Sequence, residues 1–330
     1  MALATWLALH AGVSALATGC ALAYARRRNL VDQPGERRSH TVPTPRGGGI
    51  GIAVALLAGC AAVLAAGTVA ALPVLAFATG LLLVAGIGWI DDHRPLSPGL
   101  RLGVQWVAGL VLAWGLFGAD GRWAWALFAA VLVPVLVNVW NFMDGIDGLA
   151  TSQAILAALG LAALAPAAGV ATLALAAACV AFLPFNFPRA RIFLGDVGSG
   201  TLGYALAALV ALAADDVGGQ RLLLVLLPLS AFLVDASLTL ASRMLARERW
   251  WLPHTSHLYQ RWVKAGRSHV FVTSVYGAFS LIATILAWFL GGCTPLFAGG
   301  GAVLWFALAV AGWFAVRSRL DPGKGKTEDA

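Results

Sequence analysis

Apolar runs of about twenty residues recur along the whole chain, and each is long enough to cross roughly 30 Å of hydrocarbon as an α-helix. Eleven can be placed, at 2–25, 47–66, 69–90, 102–117, 123–140, 150–168, 170–187, 198–214, 222–242, 270–290 and 294–316. In lipid every backbone polar group must be satisfied within the segment or by a closed barrel, and runs of this length satisfy theirs as helices. The expected fold is therefore all-α, a polytopic transmembrane helical bundle. It has 10–11 spans, because the sixth and seventh are joined through Pro166 and count as one or two. Composition agrees: 60% of the 330 residues are hydrophobic and 11% are charged, against roughly 25% charged in a soluble domain.

Charge asymmetry sets the expected orientation, since short cytoplasmic loops retain Lys and Arg. Arg26 to Arg28, Arg37, Arg38, Arg46, Arg94, Arg101, Arg189, Arg191, the basic residues from Arg243 to Arg267 and those of the tail fall on one side. Arg122 and Arg221 fall on the other. The N-terminus is then external and the C-terminus cytoplasmic, and the net charge of +7 is a consequence of topology, with no need for a nucleic-acid partner. The first apolar run has basic residues after it and none before, the reverse of a secretory signal, and is expected to remain as a helix. Cys20, Cys60, Cys179 and Cys293 stand singly in apolar runs, without metal or redox spacing. No internal repeat or low-complexity linker divides the chain. A single catalytic domain over 1–320 and a disordered tail at 321–330, rich in Gly, Lys and Glu, are expected.

The external loops are short and chemically poor, whereas each cytoplasmic loop carries a dense polar cluster. Asp91 and Asp92 adjoin Pro95, Ser97 and Pro98, which end a helix and turn the chain. Adjacent carboxylates repel, so a divalent cation or a bound proton relieves them; two solvated acids are the plain alternative. Asn138, Asn141, Asp144 and Asp147 recur every three residues, which predicts one strip of oxygen ligands on a helical or 3₁₀ turn. A glycine turn with capping aspartates is the other reading of that segment. In FLGDVGSG, Asp196 lies between Gly195 and Gly198 just before the eighth span, where it either caps the helix or addresses a metal-bound phosphate. Hard oxygen ligands of this kind suit Mg²⁺. His254, His257 and Arg261, three and four apart, are predicted on one helix face as a clamp for pyrophosphate. Two histidines without further ligands do not make a zinc site. Trp250, Trp251, Tyr259 and Trp262 read as interfacial anchors. Asp235 is the acidic residue well inside a span, and either braces the bundle against Arg38, Arg46 or Arg243 or takes part in the chemistry.

Together, DDHRPLS with Gln105 beyond it, NVWNFMDGIDGLA, FNFPRARIFLGDVGS and PHTSHLYQR resemble the polyprenyl-phosphate N-acetylhexosamine-1-phosphate transferases, in the family's order and over most of the chain. The HLYQR stretch is most similar to the branch that initiates O-antigen synthesis. His-x-x-His in place of contiguous histidines departs from the muramyl-pentapeptide transferase. The resemblance implies transfer of a sugar 1-phosphate from a UDP-N-acetylamino sugar to undecaprenyl phosphate, with release of UMP, at the cytoplasmic face of a bacterial inner membrane. It implies Mg²⁺, or Mn²⁺, as cofactor and membrane lipid as surroundings, and it leaves a homodimer open. It implies Asp196 as the main metal ligand, with Asp91 or Asp92 contacting metal or accepting the lipid phosphate's proton. Asn138, Asn141, Asp144 and Asp147 would line the nucleotide and metal site. Asn186 and Phe193 would hold the uridine, His254, His257 and Arg261 would bind the diphosphate, and Arg46 would lie near an anionic headgroup. Two competing readings are a Mg²⁺-dependent aromatic prenyltransferase, whose DxxxD spacing is not found here, and an ion-coupled transporter, whose inverted repeats are not seen.

Overall fold

A computed structural model of the chain describes residues 2–33, 35, 42–249, 252 and 254–320. Arg37, Arg38, Trp250, Trp251 and the tail at 321–330 lie outside the described residues. Helices follow one another with short connections: α1 (Leu3–Arg27), α2 (Ile50–Ala66), α3 (Ala71–His93), α4 (Pro98–Leu116), α5 (Trp123–Met143), α6 (Leu149–Leu164), α7 (Gly169–Asn186), α8 (Gly195–Val217), α9 (Leu222–Leu226), α10 (Ser230–Leu245), α11 (Leu258–Lys264), α12 (His269–Gly291) and α13 (Pro295–Leu320). Each expected apolar run is helical. The chain is an all-α, multi-pass membrane protein. Among the described residues, nine helical segments are long and apolar enough to cross a membrane, and α2 and α6 are shorter apolar helices. With 17 and 16 residues they rise about 25 Å, a little less than the hydrocarbon thickness. The break between α6 and α7 falls at Pro166, as its ring requires.

The sequence pattern did not foresee one small sheet. β1 (Val31–Asp32) pairs antiparallel with β2 (Thr44–Pro45), Val31 opposite Pro45. The strand then extends its hydrogen bonding to the loop before α8: Phe193 N donates to Pro45 O at 2.8 Å, Gly48 N to Phe193 O at 2.9 Å and Gly49 N to Leu194 O at 2.9 Å. This lays the segment before α2 directly against the start of α8. Gly49 is required there, because a Cβ would stand 2.2 Å from the Gly198 Cα. Small residues permit such approach between helices in lipid, where packing rather than water exclusion drives association.

Helix α8 is the centre of the bundle. Every residue from Val197 to Ala211 is buried, against α3, α5 and α6 among others. At the bundle end away from the polar loops, Arg122 binds both carboxylate oxygens of Asp215, and Arg221 donates to the Cys293 carbonyl at 3.0 Å. The two arginines of the charge-poor side therefore tie helix ends together. The polar clusters meet at the opposite end.

Candidate active site

Asp91 and Asp92 occupy the last turn of α3, and both are buried. Adjacent positions on a helix diverge, and the two carboxylates find different partners. Asp91 Oδ1 accepts the Leu96 N–H at 2.6 Å, closing the turn into α4, and its Oδ2 accepts from Arg101 at 3.0 Å. Asp92 points at α8: its Oδ1 accepts the Asp196 N–H at 3.0 Å and its Oδ2 the Val197 N–H at 3.1 Å. Arg46 pairs with Asp92 at 2.9 Å and donates to the Asp91 carbonyl at 3.3 Å. These first-turn amides are what any helix start must satisfy, and here a carboxylate 104 residues away does so. The helix consequently begins at Gly195, three residues before the expected span, and Asp196 lies in its first turn.

Asp196 is the accessible member of this group, with 30% of its side chain exposed. Its Oδ1 accepts from the Asn141 amide at 2.8 Å and its Oδ2 from Arg101 at 3.3 Å. Asn141 also reaches the Ser199 hydroxyl at 3.2 Å, and Asn138 donates to Gln105 at 2.7 Å. Arg101, Gln105, Asn138, Asn141 and Asp196 line one cleft between α3, α4, α5 and α8.

The three-residue strip is not continuous, which corrects the sequence expectation. Asn138 and Asn141 lie on α5, but that helix stops at Met143 and Asp144 is its C-cap. Tyr259 fills the space beside Gly145, its hydroxyl 2.2 Å from where a Cβ would be, and Gly148 turns the chain at φ +71°. Asp147 thereby faces away, toward His269 at 3.4 Å and the Ala190 N–H at 3.3 Å. Asn186 accepts the Gly148 N–H at 3.0 Å and donates to the Ile192 carbonyl at 3.1 Å, bracing the two loops against each other. Phe193, half-buried, lies in the neighbouring loop. Burial, then the charges of Asp196, Asp92 and Asp147, push the Asp144 carboxyl well above the usual carboxylate range.

The basic arm also departs from the expected helix face. α11 begins only at Leu258, so His254 and His257 precede it and Arg261 alone is helical. Gln260 accepts the His257 N–H at 3.3 Å and so fixes the helix start at that point. His257 is buried, its ring stacked near Phe142 and Tyr259, with His254 5.0 Å away between centroids. Tyr259 joins the arm to the end of α5 by donating to the Phe142 carbonyl at 3.0 Å. Arg261 donates to the Ser256 carbonyl at 2.8 Å. Burial, followed by the charges of His257 and Arg243, lowers His254 to about 4. Burial likewise lowers His257, against the opposing pull of Asp235.

The acids outnumber the cations interleaved with them, Arg46 and Arg101, and like charges so placed favour a bound cation. Arg101 bridges Asp91 and Asp196 and marks where positive charge is stabilised. Among the described residues, no three His, Cys, Asp or Glu side chains form a metal cage by themselves. Mg²⁺ needs none, since it usually takes one or two carboxylates and completes its shell with water and substrate phosphates. Asp196, Asn141 and Asp144 supply hard oxygens of that kind.

Residues 74–214, which include both α3 acids, the α5 cluster and Asp196, match the family model of glycosyl transferase family 4. The decaprenyl-phosphate N-acetylglucosaminephosphotransferase of Mycobacterium tuberculosis is 31% identical over 304 residues, covering 78% of this chain and 74% of the relative. The chain belongs to glycosyl transferase family 4. Other relatives are the probable undecaprenyl-phosphate N-acetylglucosaminyl 1-phosphate transferase of Bacillus subtilis, 29% identical over 78% of this chain and 77% of that protein, and a phospho-N-acetylmuramoyl-pentapeptide-transferase of Trichormus variabilis, 36% identical over 51% and 53%.

In this family 4 glycosyl transferase, sequence reasoning passed over three residues that the geometry brings to the site. Charge asymmetry accounts for Arg101 as a topological arginine, yet it bridges two of the acids. Its signal was position, ten residues after Asp91 and in the first turn of the next helix. Ser199 stands one turn beyond Asp196 on the same helix face. His269 heads α12 and holds Asp147; nothing local in the sequence connects the two.

Proposed function

We propose that this protein transfers an N-acetylhexosamine 1-phosphate from its UDP-sugar to undecaprenyl phosphate, releasing UMP, as one catalytic unit at the cytoplasmic face of a bacterial inner membrane. The observation that carries the proposal is the placement of Asp196, held by Asn141 and Arg101, at the end of the bundle where the carboxylates and the basic arm converge. A lipid phosphate is confined to the membrane interface, and helix ends are where such a nucleophile meets a polar site. N-acetylglucosamine is the first candidate for the sugar, from the activities that name the Mycobacterium tuberculosis and Bacillus subtilis relatives. The branch that initiates O-antigen is an extension of the same reading, based on HLYQR.

A phosphate oxygen of the lipid attacks the sugar-bearing phosphorus, the bond from that phosphorus to the UMP oxygen breaks, and UMP leaves. Such transfer needs positioning and neutralisation of charge more than covalent help. Asp196, with Asn141 and Asp144, would hold a Mg²⁺ or Mn²⁺ ion, which would supply neutralisation of the diphosphate. Arg101 and Arg46 bring positive charge to the same end, and His257, His254 and Arg261 approach the diphosphate from the arm. The lipid phosphate has a second pKa of about 6 and is largely a dianion at neutral pH, so no strong base is demanded of Asp91 or Asp92. Their hydrogen bonds favour a supporting role: Asp92 holds the start of α8, and Asp91 holds Arg101. Asp147 and Asn186 shape the loops around the uridine, against which Phe193 stacks.

The test is UMP release by the purified protein with undecaprenyl phosphate, Mg²⁺ and a panel of UDP-N-acetylamino sugars, with EDTA as control. Release that depends on lipid, metal and one sugar is expected. Folded protein that is silent across the panel, or that instead prenylates an aromatic acceptor, would sink the reading.

A further inference from the structure

Asp235 is a carboxylate inside α10, and only 2% of it is exposed. Buried charges are costly without partners. The sequence offered Arg38, Arg46 and Arg243 as partners, but Arg46 pairs with Asp92 and Arg243 with Glu248 at 2.6 Å, and Arg38 lies outside the described residues. The carboxylate is instead gripped by donors from four elements. Thr239 of its own helix donates at 3.1 Å, Trp313 of α13 at 3.0 Å and Tyr276 of α12 at 2.7 Å. The backbone N–H of Leu258, the residue after His257, lies 2.9 and 3.1 Å from its two oxygens.

His257 completes the arrangement. Its Nδ1 is buried, makes no hydrogen bond to any described residue, and lies 4.0 Å from Asp235 Oδ1. A buried ring nitrogen without a partner is unfavourable. The nearest acceptor is a carboxylate whose position is already fixed by other groups. An imidazole whose Nδ1–H faces a carboxylate is oriented by it, and when the ring is protonated its Nε2–H is the donor left for an anion.

We propose that Asp235 is a positioning residue for His257: it pins the backbone where the arm enters α11 and draws the Nδ1–H edge of the ring, so that the imidazolium formed against the diphosphate presents its Nε2–H to it. The proposal rests on the reading above, in which His257 meets the substrate. The charged and titratable groups around the ring are Asp235 and Arg243 from α10, His254 from the arm, Tyr259 from α11 and Tyr276 from α12. Asp235 is the anion among them. Because Trp313 and Tyr276 hold the same carboxylate, the two C-terminal helices are joined to the arm through this one side chain.

The experiment is a double-mutant cycle on UMP release, with Asp235→Asn, His257→Gln and the pair. Asp235→Asn keeps an acceptor for the Leu258 N–H but removes the charge. We expect it to lower kcat/KM for the UDP-sugar about tenfold alone and to add nothing in the His257→Gln background, as coupled residues do. The same loss in both backgrounds would mean that Asp235 only supports the loop, and would overturn the proposal. Should Asp235→Asn fail to insert, Tyr276→Phe leaves the carboxylate and loosens its grip; it should be harmful only when His257 is present. A readout independent of turnover is the titration of His257 in protein labelled with ¹³C-histidine. Removing the anion should lower the His257 pKa, and an unchanged value would overturn the proposal. If the wild-type protein releases no UMP with any sugar, the transferase reading fails, and the titration still decides whether Asp235 acts on His257.

Discussion

Asp92 caps the helix that carries Asp196: the two oxygens of one carboxylate receive the Asp196 and Val197 N–H groups at 3.0 and 3.1 Å. One acid of the DD pair thus builds the platform on which another acid, far away in sequence, stands. Removing both acceptors in Asp92→Ala should cost about 2 kcal/mol of stability, as loss of a buried cap does, and would also strand Arg46. Thermal unfolding in detergent measures it. UMP release should fall in the same variant, and a variant as stable as the parent would contradict the capping role.

Asp196→Asn should behave differently. Its side chain is partly exposed, and the amide still accepts from Asn141, so stability should change by no more than about 0.5 kcal/mol. Turnover should fall on the order of 10³-fold, as when a charge-stabilising group is lost. UMP release at a near-normal rate would remove Asp196 from the metal.

Arg101 bridges Asp91 and Asp196 and so competes with any cation for them. In Arg101→Ala the local potential is more negative. The Mg²⁺ concentration for half-maximal activity should drop while kcat also falls, each about tenfold. A Mg²⁺ requirement that rises instead would count against the competition.

His254 has a native pKa lowered from 6.5 to about 4. The unfolded chain therefore takes up this proton first, as the pH falls below 6.5, and the folded state only near 4. The contribution to stability is present above 6.5 and is lost as the pH falls toward 4. His254→Gln, neutral throughout, should flatten that part of the Tm profile. An unchanged acid limb would show that His254 does not cause it.

Gly49→Ala would place a methyl group 2.2 Å from the Gly198 backbone, and should cost about 1–3 kcal/mol or prevent assembly. Gly86→Ala meets nothing within 4 Å and should be neutral to about 0.5 kcal/mol. Thermal melting of the two variants side by side distinguishes a packing effect from a general intolerance of glycine replacement.

The helices were legible because an apolar run of span length leaves the backbone few alternatives, and even Pro166 fell where the chain breaks. The site was legible as a set of loops and less so as a set of contacts. Asp144 and Asp147 share a spacing with Asn138 and Asn141, but Tyr259, more than a hundred residues later, occupies the space beside Gly145 and the strip divides. His254 and His257 have helical spacing, yet the helix starts after them because Gln260 and Asp235 receive the first amides. Charge counting cannot distinguish Arg101, which binds two acids, from arginines that only set orientation. The side-chain partners of Asp235 on other helices are a tyrosine and a tryptophan, and ion-pair reasoning has no way to choose them.

From Val197 to Ala211, α8 meets protein on every side, whereas α13 buries only Ala298, Ala302, Ala309 and Trp313. Hydrophobic mismatch and lateral pressure act on helices that face lipid. The depth of Asp196 is consequently set by the protein's own packing, and a thicker or stiffer bilayer reaches it only through the neighbours of α8. α13 is exposed to that load and is tied, through Trp313 and Asp235, to the arm that carries His257. Lipid composition should accordingly be felt by the arm that carries His257 before it is felt at Asp196.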